Sequence, residues 1–433
     1  MATLPNQLNY GGQQAVPRDT TTTQIVVRPS NGQIFTQNSQ IQLDLPMSNF
    51  LVGSTMAIRY KMTIKNITAT PIQTAILGTP VYSPFVRMQT LFNGQTKEDI
   101  NNYNQLMTYL INSQYDTSMK SGLSSYGYTS EIDTETVIDD CYLSSVIGAT
   151  TGTEEISLSA PLPCCLSMID GDKFLPLDAF SSLRINLNLD TIDNIFSSPV
   201  TYNTVNYVAP SSYEISNFEL VFNVCTFNQD IKDMILNSEP LIVKTQSFNS
   251  ISQVLNTGAS GSNDLMFSHH FDSIKSLHAL FVKNDNTTNP MKKFESRDPN
   301  LNSVSFMVSG VSYPQLGLDI KNNKSYVLIE NKKTWNALGT TEFNPSISYL
   351  EFNRKNSATS TFNAPGKFYV STPTERVLSN GYLLSGLNSK QSQVGLRLNI
   401  ETAITSNYNI STIAIYDMLL RIDPQTKQVE ALV

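Results

Sequence analysis

The stretch Leu183–Leu189 reads LRINLNL, and Leu396–Thr402 reads LRLNIET. Leu183, Ile185, Leu187 and Leu189 alternate with Arg184, Asn186 and Asn188 in the first; Leu396, Leu398 and Ile400 alternate with Arg397, Asn399 and Glu401 in the second. A period of two places the apolar side chains on one face and the polar ones on the other, which predicts a half-buried antiparallel strand. The same alternation runs through Ser54–Asn66, where Met56, Ile58, Tyr60, Met62 and Ile64 are expected to face a core and Arg59, Lys61 and Lys65 to face out. Shorter strands are expected in QIVVRP from Gln24, IQLDL from Ile41, Phe85–Gly94, EISLSAPLP from Glu155, KFLPL from Lys173 and YEISNFELVFNV from Tyr213. Helical spacing interrupts this pattern at Lys97–Gln114, where Ile100, Tyr103, Met107, Leu110 and Ile111 recur. Glu98 and Asp99 would suit the positive end of that helix. A second, shorter helical pattern spans Ile329–Gly339. Residues 115–155 read as a long loop with weak strand signals.

The pattern then repeats. PLIVKTQ, from Pro240, resembles TQIVVRP, from Thr23. Asp272–Asn284 lies over Ser54–Asn66 at a shift of 218, and SFMVSG (Ser305–Gly310) over QTLFNG (Gln89–Gly94) at 216. The LRINLNL pair is shifted by 213, and YNISTIAIYDML, from Tyr408, lies over YEISNFELVFNV at 195. The fall from 213 to 195 reflects a loop, Asp190–Ser212, that is 18 residues longer in the first copy. The chain therefore reads as all-β: two tandem eight-stranded jelly-roll β-sandwiches with short helices in the connecting loops. The expected division is a flexible N-terminal arm at 1–23, a first jelly roll at 24–236 and a second at 237–433. The alignment places Tyr60 opposite His278 and Phe222 opposite Asp417. The last long strand, STIAIYDMLLRI from Ser411, is apolar on both faces apart from Asp417, so it is expected to be covered on both sides, by the sister domain or by another subunit.

Composition sharpens this reading. Charged residues make up only 15% of the 433, against ~25% in typical globular chains. Asn, Ser and Thr take their place, with 19 Tyr and 20 Phe, which favours strands and loops over helices. A net charge of −7 argues against a basic nucleic-acid groove and against sequence-specific nucleic-acid binding. The N-terminus lacks the apolar core of a secretion signal and no apolar run is long enough to span a membrane, so synthesis in the cytoplasm is expected. The sequons at Asn66, Asn286, Asn323 and Asn409 read as accidents of an Asn-rich chain. The four cysteines, Cys141, Cys164, Cys165 and Cys225, have no metal-type spacing and read as reduced, partly buried thiols.

No constellation of reactive residues stands out. His269 and His270 are neighbours on a strand and point to opposite faces, so they do not chelate one metal; a satisfied structural role is expected for them and for His278. Asp170-Gly171-Asp172 reads as a tight turn rather than a calcium loop, and Asp139-Asp140 and Glu154-Glu155 as solvated loop charge. Cys164-Cys165 has no thiolate-stabilising partner in sequence reach. GASGS, from Gly258, lacks both the nucleophile elbow and the phosphate-loop ending. Trp335 reads as a core anchor. Catalytic, cofactor and metal sites are accordingly all expected to be none.

The segment LPCCLSMIDGDKFLPLDAFSSLRINLNL, followed by YEISNFELVFNVCTFNQDIKDMI, resembles the end of the first jelly roll of double jelly-roll major capsid proteins. These are found in virophages, polinton-like viruses, adintoviruses and tailless membrane-containing phages. NDLMFSHHFDSIKSLHALFVKN and SFMVSGVSYPQLG resemble the opening of that family's second roll. An Arg often follows that strand in the family, whereas Lys283 and Asn284 follow it here. The resemblance extends from about Gln24 to nearly the end. It implies a viral major capsid protein, not an enzyme, located in the virion. Three copies would form a homotrimer, a pseudo-hexameric capsomer that tiles an icosahedral shell around a double-stranded DNA genome. Neighbouring capsomers, penton proteins, minor or cement proteins and an internal membrane are the implied partners. Loops such as 115–155 and 340–365 would form the outer top and clamps between subunits. Two other readings are a β-sandwich receptor- or glycan-binding virion protein and a glycosidase built on paired jelly rolls. The latter would need a buried acid between the domains, and Asp417 is the acid that can be placed in a strand.

Overall fold

A computed structural model describes residues 20–115, 124–127, 141–170, 173–197, 199–202, 205–237, 239–284, 291–335, 347, 349–353, 366–375 and 384–433. Sixteen strands carry the architecture, eight in each half. In the first half they are β1 (Thr21–Val27), β2 (Gln40–Asp44), β3 (Phe50–Asn66), β4 (Phe85–Phe92), β5 (Gln95–Asn101), β6 (Gly152–Pro161), β7 (Leu183–Leu189) and β8 (Ser212–Thr226). In the second they are β9 (Leu241–Leu255), β10 (Gly261–Phe267), β11 (Ile274–Lys283), β12 (Leu301–Val308), β13 (Val311–Asp319), β14 (Tyr369–Pro373), β15 (Val394–Ile400) and β16 (Tyr408–Asp423). The longer helices of the described residues are α1 (Tyr103–Gln114), α2 (Gln229–Leu236) and α3 (Lys324–Thr334).

The pairing order is the same in both halves. The first half has sheets β1-β8-β3-β6 and β2-β7-β4-β5; the second has β9-β16-β11-β14 and β10-β15-β12-β13. Adding eight to each label of the first pair gives the second. All of these pairs are antiparallel. Two four-stranded sheets connected in this order make a jelly roll, and the chain holds two of them. LRINLNL and LRLNIET are β7 and β15, each central in its sheet, which is why the chain writes this strand twice.

The expected faces of β3 hold. Met56, Ile58, Tyr60, Met62 and Ile64 are buried, and Arg59 is exposed. The hairpins β4–β5 and β12–β13 are also true equivalents. Asn93-Gly94 has φ of 51° and 78°, and Ser309-Gly310 has 52° and 79°. Two left-handed residues in succession make the type I′ turn, whose twist matches the flanking strands. Asn tolerates this region better than Ser does. Ser309→Asn is therefore expected to stabilise the protein by about 0.5 kcal/mol, read as a higher denaturant midpoint with an unchanged slope.

Several expectations are corrected. The first helix does not begin at Lys97. Residues Gln95–Asn101 are strand β5, paired with β4, and Asp99 meets Arg87 across the pair. The tight turn at Asn93-Gly94 forces the chain back along β4, and this pairing overrides the helical spacing. Asn102, at φ 51°, separates strand from helix. The second helix begins at Lys324, five residues earlier than expected, because the Asn323 side chain accepts a hydrogen bond from Tyr326 N and caps it. Glu154 and Glu155 lie on strand β6, not in a loop: Glu155 pairs with Lys61, and Glu154 accepts from the Tyr142 hydroxyl. The first strand begins at Thr21, inside the stretch read as an arm. Asp139-Asp140, Gly171-Asp172, Asn286, the arm at 1–19 and most of the loops at 115–140 and 340–365 lie outside the described residues.

Candidate functional site: the seam between the two rolls

The strongest contrast between the rolls is in their first sheets. In β3 and β8 buried residues alternate with partly exposed ones; in β11 and β16 nearly every residue is buried on both faces. The cover on the second roll's sheet comes from β5, α1 and the turn at 163–170 of the first roll, and from α3 of its own roll, where Asn331 bonds the backbone of Tyr369 and Ser371 on β14.

The position of that turn is set by Gly53 on β3. A Cβ at Gly53 would collide with the Leu166 carbonyl, so only glycine lets the turn pack this closely. The turn then carries Cys165 to the buried carboxylate of Glu98 on β5. Cys165 N donates to Glu98 Oε1 at 2.9 Å and Oε2 at 3.1 Å; the Thr90 hydroxyl donates to Oε2 at 2.7 Å; the Ser247 hydroxyl, from β9, donates to Oε1 at 2.5 Å. Beside it the Thr245 hydroxyl donates to the Cys165 carbonyl at 2.5 Å, and Asp170 N donates to the Lys244 carbonyl at 2.9 Å. Glu98 thus ties three segments of the first roll to the edge strand of the second. Burial raises its pKa, and the hydroxyls of Ser247 and Thr90 and the Cys165 amide act against that rise. Glu98→Gln would turn an amide N–H toward groups that all donate. It is expected to cost about 2 kcal/mol, measured by chemical denaturation.

Helix α1 forms the centre of the seam. The Gln105 side chain accepts from the Ser411 hydroxyl of β16 at 3.1 Å and donates to the Lys293 carbonyl at 2.9 Å. One turn on, the Tyr109 hydroxyl and His278 Nδ1 share a hydrogen bond of 2.7 Å, and Ser276 Oγ and His278 Nε2 share one of 2.9 Å. Trp335, just past α3, stacks on His278 with centroids 5.0 Å apart, and the Tyr109 ring stands edge-on to Tyr369 at 5.0 Å. The expected anchoring role of Trp335 is seen here. Burial pushes His278 down to about 3, so it is neutral. Lys293 meets Asp190 at the far end of the seam, and burial lowers the Lys293 pKa while Asp190 opposes that fall.

The pairing of Tyr60 with His278 needs a correction of register. Tyr60 stacks on Phe218 and meets the Phe85 edge in the core of its own roll. His278 instead faces away from the core of its roll, toward Tyr109 of α1 and Trp335 after α3. Residues aligned at a constant shift of 218 thus sit on opposite faces, as a one-residue slip between equivalent strands requires. β11 also departs from alternation, with a register shift between Ile274 and Ser276.

The remaining reactive residues are accounted for locally. His269 Nδ1 and Nε2 meet Asn249 Oδ1 at 2.7 Å and Thr412 Oγ1 at 2.9 Å, and burial holds the ring near a pKa of about 3. His270 is exposed on the other side. All four cysteines are buried thiols; burial pushes the Cys164 thiol up to about 12. Asp417 is buried, accepts from the Ser273 hydroxyl at 2.7 Å and lies 3.8 Å from Lys244 Nζ. Lys244 also lies 3.6 Å from Asp170 of the first roll. Among the described residues no group of His, Cys, Asp and Glu could hold a metal ion. The arrangement is that of a rigid joint. The two-sided cover expected of β16, by the sister domain or another subunit, comes here from the sister domain, through residues that the sequence pattern did not mark. Glu98, Gln105, Tyr109 and Ser247 are ordinary strand and helix positions until the second roll is placed beside them.

No protein-family model and no curated protein matches the chain. Solved structures do. The Faustovirus major capsid protein superposes with a TM-score of 0.62 at 11% identity, over 95% of this chain and 92% of that one. The fold is the double jelly roll. Two further structures share this double jelly roll. The mavirus major capsid protein matches with a TM-score of 0.56 at 13% identity, over 100% of this chain and 95% of that one. The structure of the Sputnik virophage matches with a TM-score of 0.55 at 15% identity, over 100% and 92%. The likeness spans both rolls.

Proposed function

We propose that the chain is a viral major capsid protein, a structural subunit without a catalytic role, located in the virion. Three copies form a pseudo-hexameric capsomer that tiles an icosahedral shell around the genome. The observation that carries this reading is the duplication itself: two rolls of identical topology, locked side by side by a buried polar seam. A trimer of such a chain presents six similar sandwiches, and six similar walls pack against neighbours of the same kind. The fold is shared over nearly the whole chain with capsid proteins, which supports this reading. The first roll takes 21–236, opening with β1, and the second 237–433, with α2 leading into the connection. Neighbouring capsomers, penton proteins and minor or cement proteins are the further partners. With a net charge of −7 the subunit does not grip the genome strongly, so an internal membrane or a basic core protein makes that contact. Electron microscopy of the purified protein tests the reading: hexagonal tiles or closed shells are expected, and dispersed elongated monomers under all assembly conditions would refute it.

A further inference from the structure

At the end of the rolls away from α2, a cleft of about 500 Å³ opens between the chain that leaves β7 of the first roll and the ends of β9, β11 and β16 of the second. It borders the seam at Lys293, which meets Asp190. Its wall is basic in a chain that is acidic overall. Lys283, Lys292 and Lys293 line it; Asp193 is the one acid among the described lining residues, with Asp190 beside Lys293. Across the whole chain acids outnumber bases by 36 to 29.

Two of these lysines are placed there at a cost in backbone freedom. Lys292 has φ 51°, in the left-handed region that Gly, Asn and Asp adopt more readily. It opens the short 3-10 turn Lys292–Phe294, and so two successive lysines reach the cleft. The Lys292 ammonium donates to the Asp193 carbonyl, and Lys293 pairs with Asp190, so both reach across the gap between the rolls. An ammonium carries three donors, and one contact to the protein does not preclude another to a ligand. Lysine presents a compact point charge rather than the planar fork of arginine, which suits a tetrahedral oxyanion. The amides of Asn194, Asn284 and Asn409 add neutral donors, and Val254 and Val282 an apolar stretch of wall. Among the described residues no aromatic ring lines the cleft, so it offers no platform for a nucleobase. Burial lowers the pKa of Lys292, as does the neighbouring Lys293 charge, while Asp193 and Asp190 oppose the fall. A bound anion would act in the same direction as the two aspartates.

We infer that this cleft is a binding site for a small ligand bearing phosphate or sulfate groups, held by Lys283, Lys292 and Lys293 and by the amides around them. All of its described wall belongs to one chain, so the site is complete without a partner copy. A ligand there touches both rolls, through Asn194 of the first and the lysines of the second, and braces the seam as well.

Calorimetric titration of the full chain at low salt tests this, with inorganic pyrophosphate in one arm and a sulfated disaccharide in the other. Binding of at least one by the wild type is expected, weakened by added salt. The tighter of the two shows whether the anion arrives free or on a sugar. Lys292→Asn removes a charge and suits the left-handed backbone, so the fold is kept. Lys283→Gln removes a second charge, from the end of β11. Each is expected to weaken binding about tenfold. Lys173→Gln, at an exposed lysine outside the cleft, should leave it unchanged. The better ligand should also raise the melting temperature of the wild type and not that of the double variant K283Q/K292N. Failure of the folded wild type to bind either ligand would overturn the site, and so would equal affinity in the wild type, K292N and K283Q.

Discussion

Lowering the pH from 7 to 5 is expected to destabilise the protein by about 4 kcal/mol through two buried histidines. His269 and His278 are held near a pKa of about 3, against an ordinary value of 6.5. Each is neutral in the folded protein and protonates freely in the unfolded chain. Their contribution is complete above pH 6.5 and is lost as the pH falls toward 3, at a limiting slope of about 1.4 kcal/mol per pH unit for each ring. The depressed carboxylates Asp44, Asp190 and Asp264 act in a separate window, because their unfolded value of 3.8 confines the loss to lower pH. Glu98 opposes the histidines. Its folded pKa is raised above 4.5, so its contribution is present below that value and lost as the pH rises through the folded pKa. Glu98→Gln should therefore steepen the acid loss, and His278→Gln should remove about half of it. Denaturant titrations at pH 7, 6 and 5, at one protein concentration, measure this. Equal stability of the wild type at pH 7 and 5 would show that the two rings are not held neutral.

The second large effect is expected at Tyr109. Its ring is buried at the point where α1, β11, β14 and Trp335 meet. Tyr109→Ala removes that ring and leaves His278 Nδ1 without its partner, at a cost of about 3–5 kcal/mol. Tyr109→Phe keeps the ring and loses only the hydrogen bond, about 1 kcal/mol. The location of the loss is informative as well as its size. The wild type should unfold in one calorimetric transition, because the seam couples the rolls. Y109A should unfold in two, the rolls melting separately. A single transition with an unchanged midpoint in Y109A would mean that the helix does not hold the rolls together.

Much of the fold was legible in the sequence because jelly-roll strands alternate and because the chain writes the pattern twice. β3, β7, β8, β15 and β16 all appear where their periodicity places them, and the shared Gly94 and Gly310 mark equivalent turns. The alternation failed where burial is two-sided. β11 has no exposed face, so its register against β3 could slip by one residue unseen, which reversed the facing of His278. The helix start failed because helical spacing at Ile100, Tyr103 and Met107 runs across a strand–helix junction, and only the hairpin pairing tells the two apart. The residues of the seam were not legible. A buried Glu98 among donors, or a Tyr on a Ser-flanked His, depends on contacts 149 and 169 positions away in the chain.

As one third of a capsomer, the chain is expected to be trimeric in solution. Its native mass in solution tests that directly, by mass photometry or sedimentation at sub-micromolar concentration. A single species of about three times the 48.1 kDa chain, with no monomer, is the expected result. A folded species of 48.1 kDa that stays monomeric at every concentration and salt would contradict it.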